Sequence, residues 1–261
     1  MSTGRGYSCT RCHRSFSEFR LLCPGCGAWK SIRQADHTAR RAEDRPIPLP
    51  QVSADLPPRI TIGIESFDAL LGGGFVPGSS ILLIGPPGAG KSTLVMQILH
   101  RIAGSSLYVT GEESLQQLKL RADRLGINSE GISLLFETNV STIKSSILKS
   151  PVLVLVIDSI QTVYSDLSDT LPGSITQIRK CAYLLRRAAQ EASTVLILVG
   201  QVTKDRGAAG PKLLEHAVDV VLYLDIIPES PNGRVLLASK NRFGSTAKKL
   251  ALHMMETGFV F

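Results

Sequence analysis

Long hydrophobic runs are missing from this chain of 261 residues. No apolar stretch reaches the ~18 residues that a membrane-crossing helix needs, so no transmembrane helix is expected. The opening residues, Met-Ser-Thr-Gly-Arg-Gly-Tyr, lack the apolar core of a secretory signal, so a reducing cytoplasm is the expected compartment. Aromatic residues are scarce, at 5% with Trp29 the single tryptophan, so aliphatic side chains must supply most of the core. An acidic excess is also absent: the net charge is +7. Residues 1–57 carry nine Lys/Arg against five Asp/Glu, and the remainder twenty against seventeen, so +4 of the charge sits in the first fifth of the chain. That balance admits nucleic acid as a partner without demonstrating it. Internal repeats and low-complexity segments are absent too.

What is present is concentrated in short motifs. Gly85-Pro86-Pro87-Gly88-Ala89-Gly90-Lys91-Ser92-Thr93 follows the apolar run Ile81–Ile84 and precedes the helical pattern Leu94–Leu99. This is GxxxxGK[ST] in its strand–loop–helix setting. The glycines let backbone N–H groups turn inward around a phosphate chain, and the helix adds the positive end of its dipole. Lys91 can reach the β- and γ-phosphates, and the Ser92 hydroxyl can ligate Mg²⁺. The competing reading is a Gly-rich turn before a core helix. The motif and its context favour a nucleoside triphosphate, ATP.

Four of the five cysteines fall in one window, Cys9-x2-Cys12 and Cys23-x2-Cys26. Two CxxC knuckles ten residues apart read as a tetrahedral four-cysteine Zn²⁺ site in a zinc ribbon, with two disulfides as the alternative. Zinc would hold together a segment of ~30 residues with little core of its own. His13 is expected at the surface and Trp29 packed over the knuckles. The isolated Cys181 is expected in the core. Residues 31–57, with a charged run followed by Pro46, Pro48, Pro50 and Pro57, read as an extended linker. The expected domains are therefore a ribbon at 1–30, a linker at 31–57 and an ATPase domain at 58–261.

From residue 58 onward, apolar runs alternate with amphipathic stretches. The runs are 81–84, 106–109, 132–136, 152–157, 194–199, 218–224, 234–239 and 250–254. Continuous β-branched runs separated by helices predict an α/β fold with a mostly parallel sheet buried on both faces. The last runs have no helices between them and predict an antiparallel extension. Asp158 ends the strongest run, where a carboxylate can hold Mg²⁺, or alternatively cap a helix. Glu112 and Glu113 follow the run at 106–109, so that one can activate water, or both can favour the first turn of a helix at 114–125. Gln201, with Thr203 and Lys204 beyond it, can sense a γ-phosphate or belong to an ordinary polar loop. The loop at 164–175 suits a mobile surface. Arg179, Lys180, Arg186 and Arg187 can meet phosphates or form a solvated helix face.

Several segments together resemble the bacterial RadA (Sms) recombination and repair ATPases. They are CxxC-x10-CPGCGAW at 9–29, LLGGGFVPGS at 70–79, the loop at 85–93, YVTGEES at 108–114, QLKLRADRLG at 117–126 and DSIQT at 158–162. PGSITQIRKCA at 172–182, GPKLLEHAVDVVLYL at 210–224 and KNRFGST at 240–246 complete the set. The resemblance implies a RecA-like P-loop core that assembles into a ring, a hexamer like those of replicative helicases. It also implies DNA-stimulated ATP hydrolysis and branch migration of recombination intermediates. Single-stranded and branched DNA are the implied substrates, and a RecA-type recombinase or replicative helicase is a possible partner. Glu112 looks like the catalytic glutamate. Lys240 and Arg242 lie in the segment that reaches a neighbouring subunit's ATP, although by themselves they read as a basic, solvated loop. Gln201 stands where the family usually has histidine, and after KNRFGST this chain reads Ala-Lys-Lys where the family tends to have Asn-Glu. Family members usually continue into a Lon-protease-like C-terminal domain, so this chain, reading to Phe261, is expected to be a short form without it.

Two other functions compete with the DNA-dependent ATPase. One is an ATP-switched adaptor whose ribbon docks a helicase or recombinase without moving DNA. The other is a RecA-like ATPase or kinase of the circadian-clock type, against which the zinc motif argues.

Overall fold

The computed structural model describes residues 7–9, 15–16, 21–24, 26, 28–34, 47–52, 57–168, 170–201 and 211–261. The chain divides into two compact units, Met1–Asp55 and Leu56–Phe261.

The first unit holds a small antiparallel sheet in the order β2-β1-β3, from β1 (Tyr7–Cys9), β2 (Ser15–Phe16) and β3 (Ile32–Gln34). Cys9 pairs with Ile32, so residues 32–34 belong to this sheet rather than to a linker. The second knuckle closes as a hairpin, with the Cys23 N–H donating to Ala28 O at 3.0 Å and the Lys30 N–H to Leu21 O at 2.6 Å. Cys9, Cys23 and Ile32 form a miniature core. Trp29 does not cover the knuckles: it is 63% exposed, bridged through its backbone to Leu22. His13 lies outside the described residues. Farther along, residues 49–51 make one exposed 3₁₀ turn.

Among the described residues, the second unit is built on nine strands in the order β12-β11-β10-β9-β4-β8-β7-β5-β6. They are β4 (Ser80–Gly85), β5 (Ser106–Thr110), β6 (Ile132–Phe136), β7 (Val154–Asp158), β8 (Val195–Gln201), β9 (Val220–Ile226), β10 (Gly233–Asn241), β11 (Lys249–Met255) and β12 (Gly258–Val260). The strands from β9 to β6 run parallel, and β10 to β12 add the expected antiparallel extension. Successive side chains point to opposite faces of a strand. Ile81, Leu83, Val154, Val156 and Ile197 therefore pack with Phe67 of α1 (Glu65–Leu70), Leu94 of α2 (Lys91–Arg101) and Leu118 of α3 (Leu115–Arg124). Leu82, Ile84, Leu155, Ile157 and Leu198 pack with Ile143 of α4 (Val140–Lys149) and Leu185 of α5 (Ile175–Glu191). Both sheet faces are covered, which is why these strands read as unbroken apolar runs.

Cys181 of α5 is fully buried, as expected, and burial pushes its thiol up to about 11. Since the thiolate is the reactive form, iodoacetamide should leave Cys181 unmodified in the folded protein and label it only after denaturation, as read by peptide mass.

Candidate nucleotide site

Strand register assembles the site. Gly85 pairs with Gln201, Asp158 with Val199, and Thr110 with Asp158. The carboxyl ends of β4, β8, β7 and β5 therefore finish side by side, where open α/β sheets bind their ligands. A cavity of about 440 Å³ opens there. It is lined by Pro87, Gly88 and Gly90 to Thr93 of the loop and by Glu112, Asp158 and Gln201.

Two glycines of the loop are constrained. A Cβ at Gly85 would stand 2.0 Å from the backbone oxygen of Leu224, and one at Gly90 would push against the side chains of Met254 and Phe259. Gly90 also has φ +99°, a conformation that suits only glycine at the head of α2. The antiparallel extension braces this loop. Arg234 of β10 donates through Nε to Ala89 O at 3.2 Å, and the Gln97 amide of α2 exchanges hydrogen bonds with the Phe259 backbone at 2.8 and 3.1 Å.

Lys91 donates to Gly85 O and Pro86 O, both at 2.9 Å. Burial holds its ammonium below the ordinary lysine range, with Asp158 and Glu112 pulling it back up. Neighbouring charge of this kind is what a triphosphate would supply in greater measure. Asp158 closes β7 as expected, and the Tyr108 hydroxyl of β5 donates to its Oδ2. Burial first, then the Asp158 charge, raises the Tyr108 phenol well above its usual value, so it stays protonated.

Glu112 and Glu113 precede α3 instead of occupying its first turn. Ser114 and Gln117 form a capping box that starts the helix at Leu115. Thr110 Oγ1 accepts from the N–H groups of Glu112 and Glu113 at 3.3 and 3.0 Å, fixing that turn. The two carboxylates then part. Glu112 Oε1 accepts from the Ser159 hydroxyl, and Glu113 pairs with Arg121 of α3. Arg121, Arg124, Met254, Met255 and Glu256 also line the cavity. The sequence reading missed these residues because their polar–apolar spacing matches that of any amphipathic helix or strand.

Lys240 and Arg242 do not line this cavity. β10 runs antiparallel to β9, so Lys240 and Asn241 pair with Val221 and Val220 at the far end of the sheet. Lys240 donates to the carbonyls of Glu215 (2.8 Å), His216 (3.4 Å) and Val218 (2.6 Å). Burial and the neighbouring Arg242 hold its ammonium below the ordinary range. Arg242, 53% exposed at its side chain, pairs with buried Asp219, as does Arg186. Arg187 stacks on exposed Tyr183 with 5.9 Å to the ring centre.

In the N-terminal unit, the sulfurs of Cys9, Cys23 and Cys26 lie within 4.8 Å of one another. Those of Cys9 and Cys26 are 3.7 Å apart, close to the ~3.8 Å edge of a tetrahedron with 2.3 Å Zn–S bonds. This donor set fits Zn²⁺ and not a disulfide between that pair. Cys12, Thr203 and Lys204 lie outside the described residues. Among the described residues no helix is long and apolar enough to cross a membrane.

The model of a family described as "ATPase: KaiC" matches residues 60–134. A protein named DNA repair protein RadA from Bacillus subtilis is 40% identical over 97% of this chain and 58% of its own length. Its Escherichia coli namesake is 37% identical over 97% and 59%. This chain thus spans under three-fifths of the length of the curated relatives it matches. Among solved structures, the RadB recombinase aligns with a TM-score of 0.60 at 26% identity, over 77% of this chain and 98% of that one. A second solved structure, an isolated ATPase domain, aligns at 0.66 and 16% identity, over 78% and 91%, a likeness of fold alone. The fold is RecA-like.

Proposed function

We propose that the chain is a DNA-dependent ATPase of recombinational repair that processes or branch-migrates recombination intermediates. Its similarity to the bacterial RadA DNA repair proteins over 97% of its own length supports this reading. The observation that carries it is the alignment of four strand ends, which gathers Lys91, Ser92, Glu112, Asp158 and Gln201 around one cavity.

Gly85 to Thr93 hold the phosphates of ATP, with Lys91 on the β- and γ-groups. Ser92 and Asp158 hold Mg²⁺, which when bound neutralises charge on the transferring phosphoryl group. Glu112 takes the proton of the attacking water. The Gln201 amide hydrogen-bonds at the γ-phosphate, and unlike a histidine it cannot gain charge there. Arg242, with Lys240 beside it, serves the site of a neighbouring subunit in a ring. Their place at the sheet end away from their own cavity supports a role in trans. Cys9, Cys12, Cys23 and Cys26 hold Zn²⁺ in a separate N-terminal ribbon, and the protein works in the cytoplasm.

The test is steady-state ATP hydrolysis with and without single-stranded DNA, beside a Lys91→Ala control. DNA-stimulated turnover that disappears in the control is the expected result. Nucleotide binding with turnover indifferent to single-stranded and branched DNA would overturn the motor reading in favour of the ATP-switched adaptor.

A further inference from the structure

Tyr108 sits where no catalytic motif predicts a functional side chain, in the interior of a strand. Alternation along β5 puts Tyr108 and Thr110 on the sheet face that carries α2. On β7 the same alternation puts Val156 and Asp158 on that face. Tyr108 pairs with Val156, and Thr110 with Asp158, so Tyr108 and Asp158 are diagonal cross-strand neighbours, within reach of an aromatic side chain. The side chain is fully buried and does not itself line the cavity. Its hydroxyl donates to Oδ2 of Asp158, which does line the cavity.

That carboxylate is one of the groups assigned above to Mg²⁺. We propose that Tyr108 is a positioning residue of the magnesium site, its hydroxyl fixing the orientation of the Asp158 carboxylate. The proposal rests on the nucleotide reading of the cavity. The Tyr108 proton is committed to Asp158 Oδ2. Asp158, with Oδ2 engaged, is left with Oδ1 for a cation. Hydrogen bonds behind metal ligands fix their orientation in this way. The phenol is suited to the task because its rigid ring is clamped in the core.

Tyr108→Phe removes the hydroxyl and keeps the ring, so packing and fold should survive, as a thermal melt will show. The measurement is Mn²⁺ affinity of the full chain in the presence of ADP, by electron paramagnetic resonance titration, which does not depend on turnover. A loss of about 10-fold or more in Mn²⁺ affinity is expected, in line with other residues that stand behind metal ligands. Metal-free ADP affinity should stay unchanged. Equal Mn²⁺ affinity in the two proteins would overturn the proposal, as would a parallel fall in metal-free ADP binding, which would mark a packing role. Failure of the unsubstituted chain to bind Mn²⁺ with ADP would instead sink the nucleotide reading itself.

Discussion

Replacing Glu112 with glutamine is expected to slow ATP turnover by about 10²- to 10⁴-fold while ATP binding is retained. Glutamine keeps the length of the side chain and still accepts the Ser159 hydrogen bond at its amide oxygen. It cannot take a proton from water. The phosphate-binding loop and Asp158 are untouched, so affinity for a fluorescent ATP analogue should hold while phosphate release collapses. Glu113→Gln is the internal comparison. Glu113 is tied to Arg121, so its replacement should disturb the turn before α3 without removing the base. A slow Glu113→Gln beside a normal Glu112→Gln would reverse the assignment of the two carboxylates.

The sheet was legible because burial on both faces leaves a strong one-dimensional trace. Runs at 81–84, 132–136 and 194–199 became β4, β6 and β8 within two residues at each end. The antiparallel extension was legible from the lack of helical pattern between residues 220 and 260. The phosphate loop and Asp158 could be placed because their chemistry requires fixed spacing at a strand end. Tyr108 left no such trace: a buried strand tyrosine looks like core until the register shows Asp158 diagonally opposite. The brace on Ala89 by Arg234, 145 residues away, is a tertiary fact with no local signature. Trp29 misled because aromatic residues usually cover small metal knuckles, whereas here Cys9, Cys23 and Ile32 fill the little core without it. Lys240 and Arg242 read alike as basic residues in one short motif. The fold separates them, with one ammonium engaged by three carbonyls and one guanidinium half in solvent.

That separation gives the second large effect. Asp219→Ala is expected to destabilise the ATPase unit by about 3 kcal/mol, read as a lowered denaturant midpoint with an unchanged slope. Asp219 is buried, 5% exposed as a residue, and its carboxylate serves four donors. Oδ2 accepts from the Ser80 N–H at 3.0 Å and the Ser80 hydroxyl at 2.6 Å, and Oδ1 accepts from Arg186 at 3.3 Å and Arg242 at 3.0 Å. Alanine would leave the Ser80 donors buried without an acceptor at the start of the central strand, and would leave two guanidinium groups facing one another without their shared counter-charge. Arg242→Ala should cost far less, under about 1 kcal/mol, because that side chain is half exposed and Asp219 keeps its other partners. The pair of variants therefore divides stability from catalysis. If Arg242 acts on a neighbouring subunit, its alanine variant should keep its melting midpoint and lose turnover in the assembled protein. The Asp219 variant should lose both, since the arginine would no longer be aimed. Matching midpoints for the two variants would show that the buried carboxylate is not the anchor of this end of the sheet.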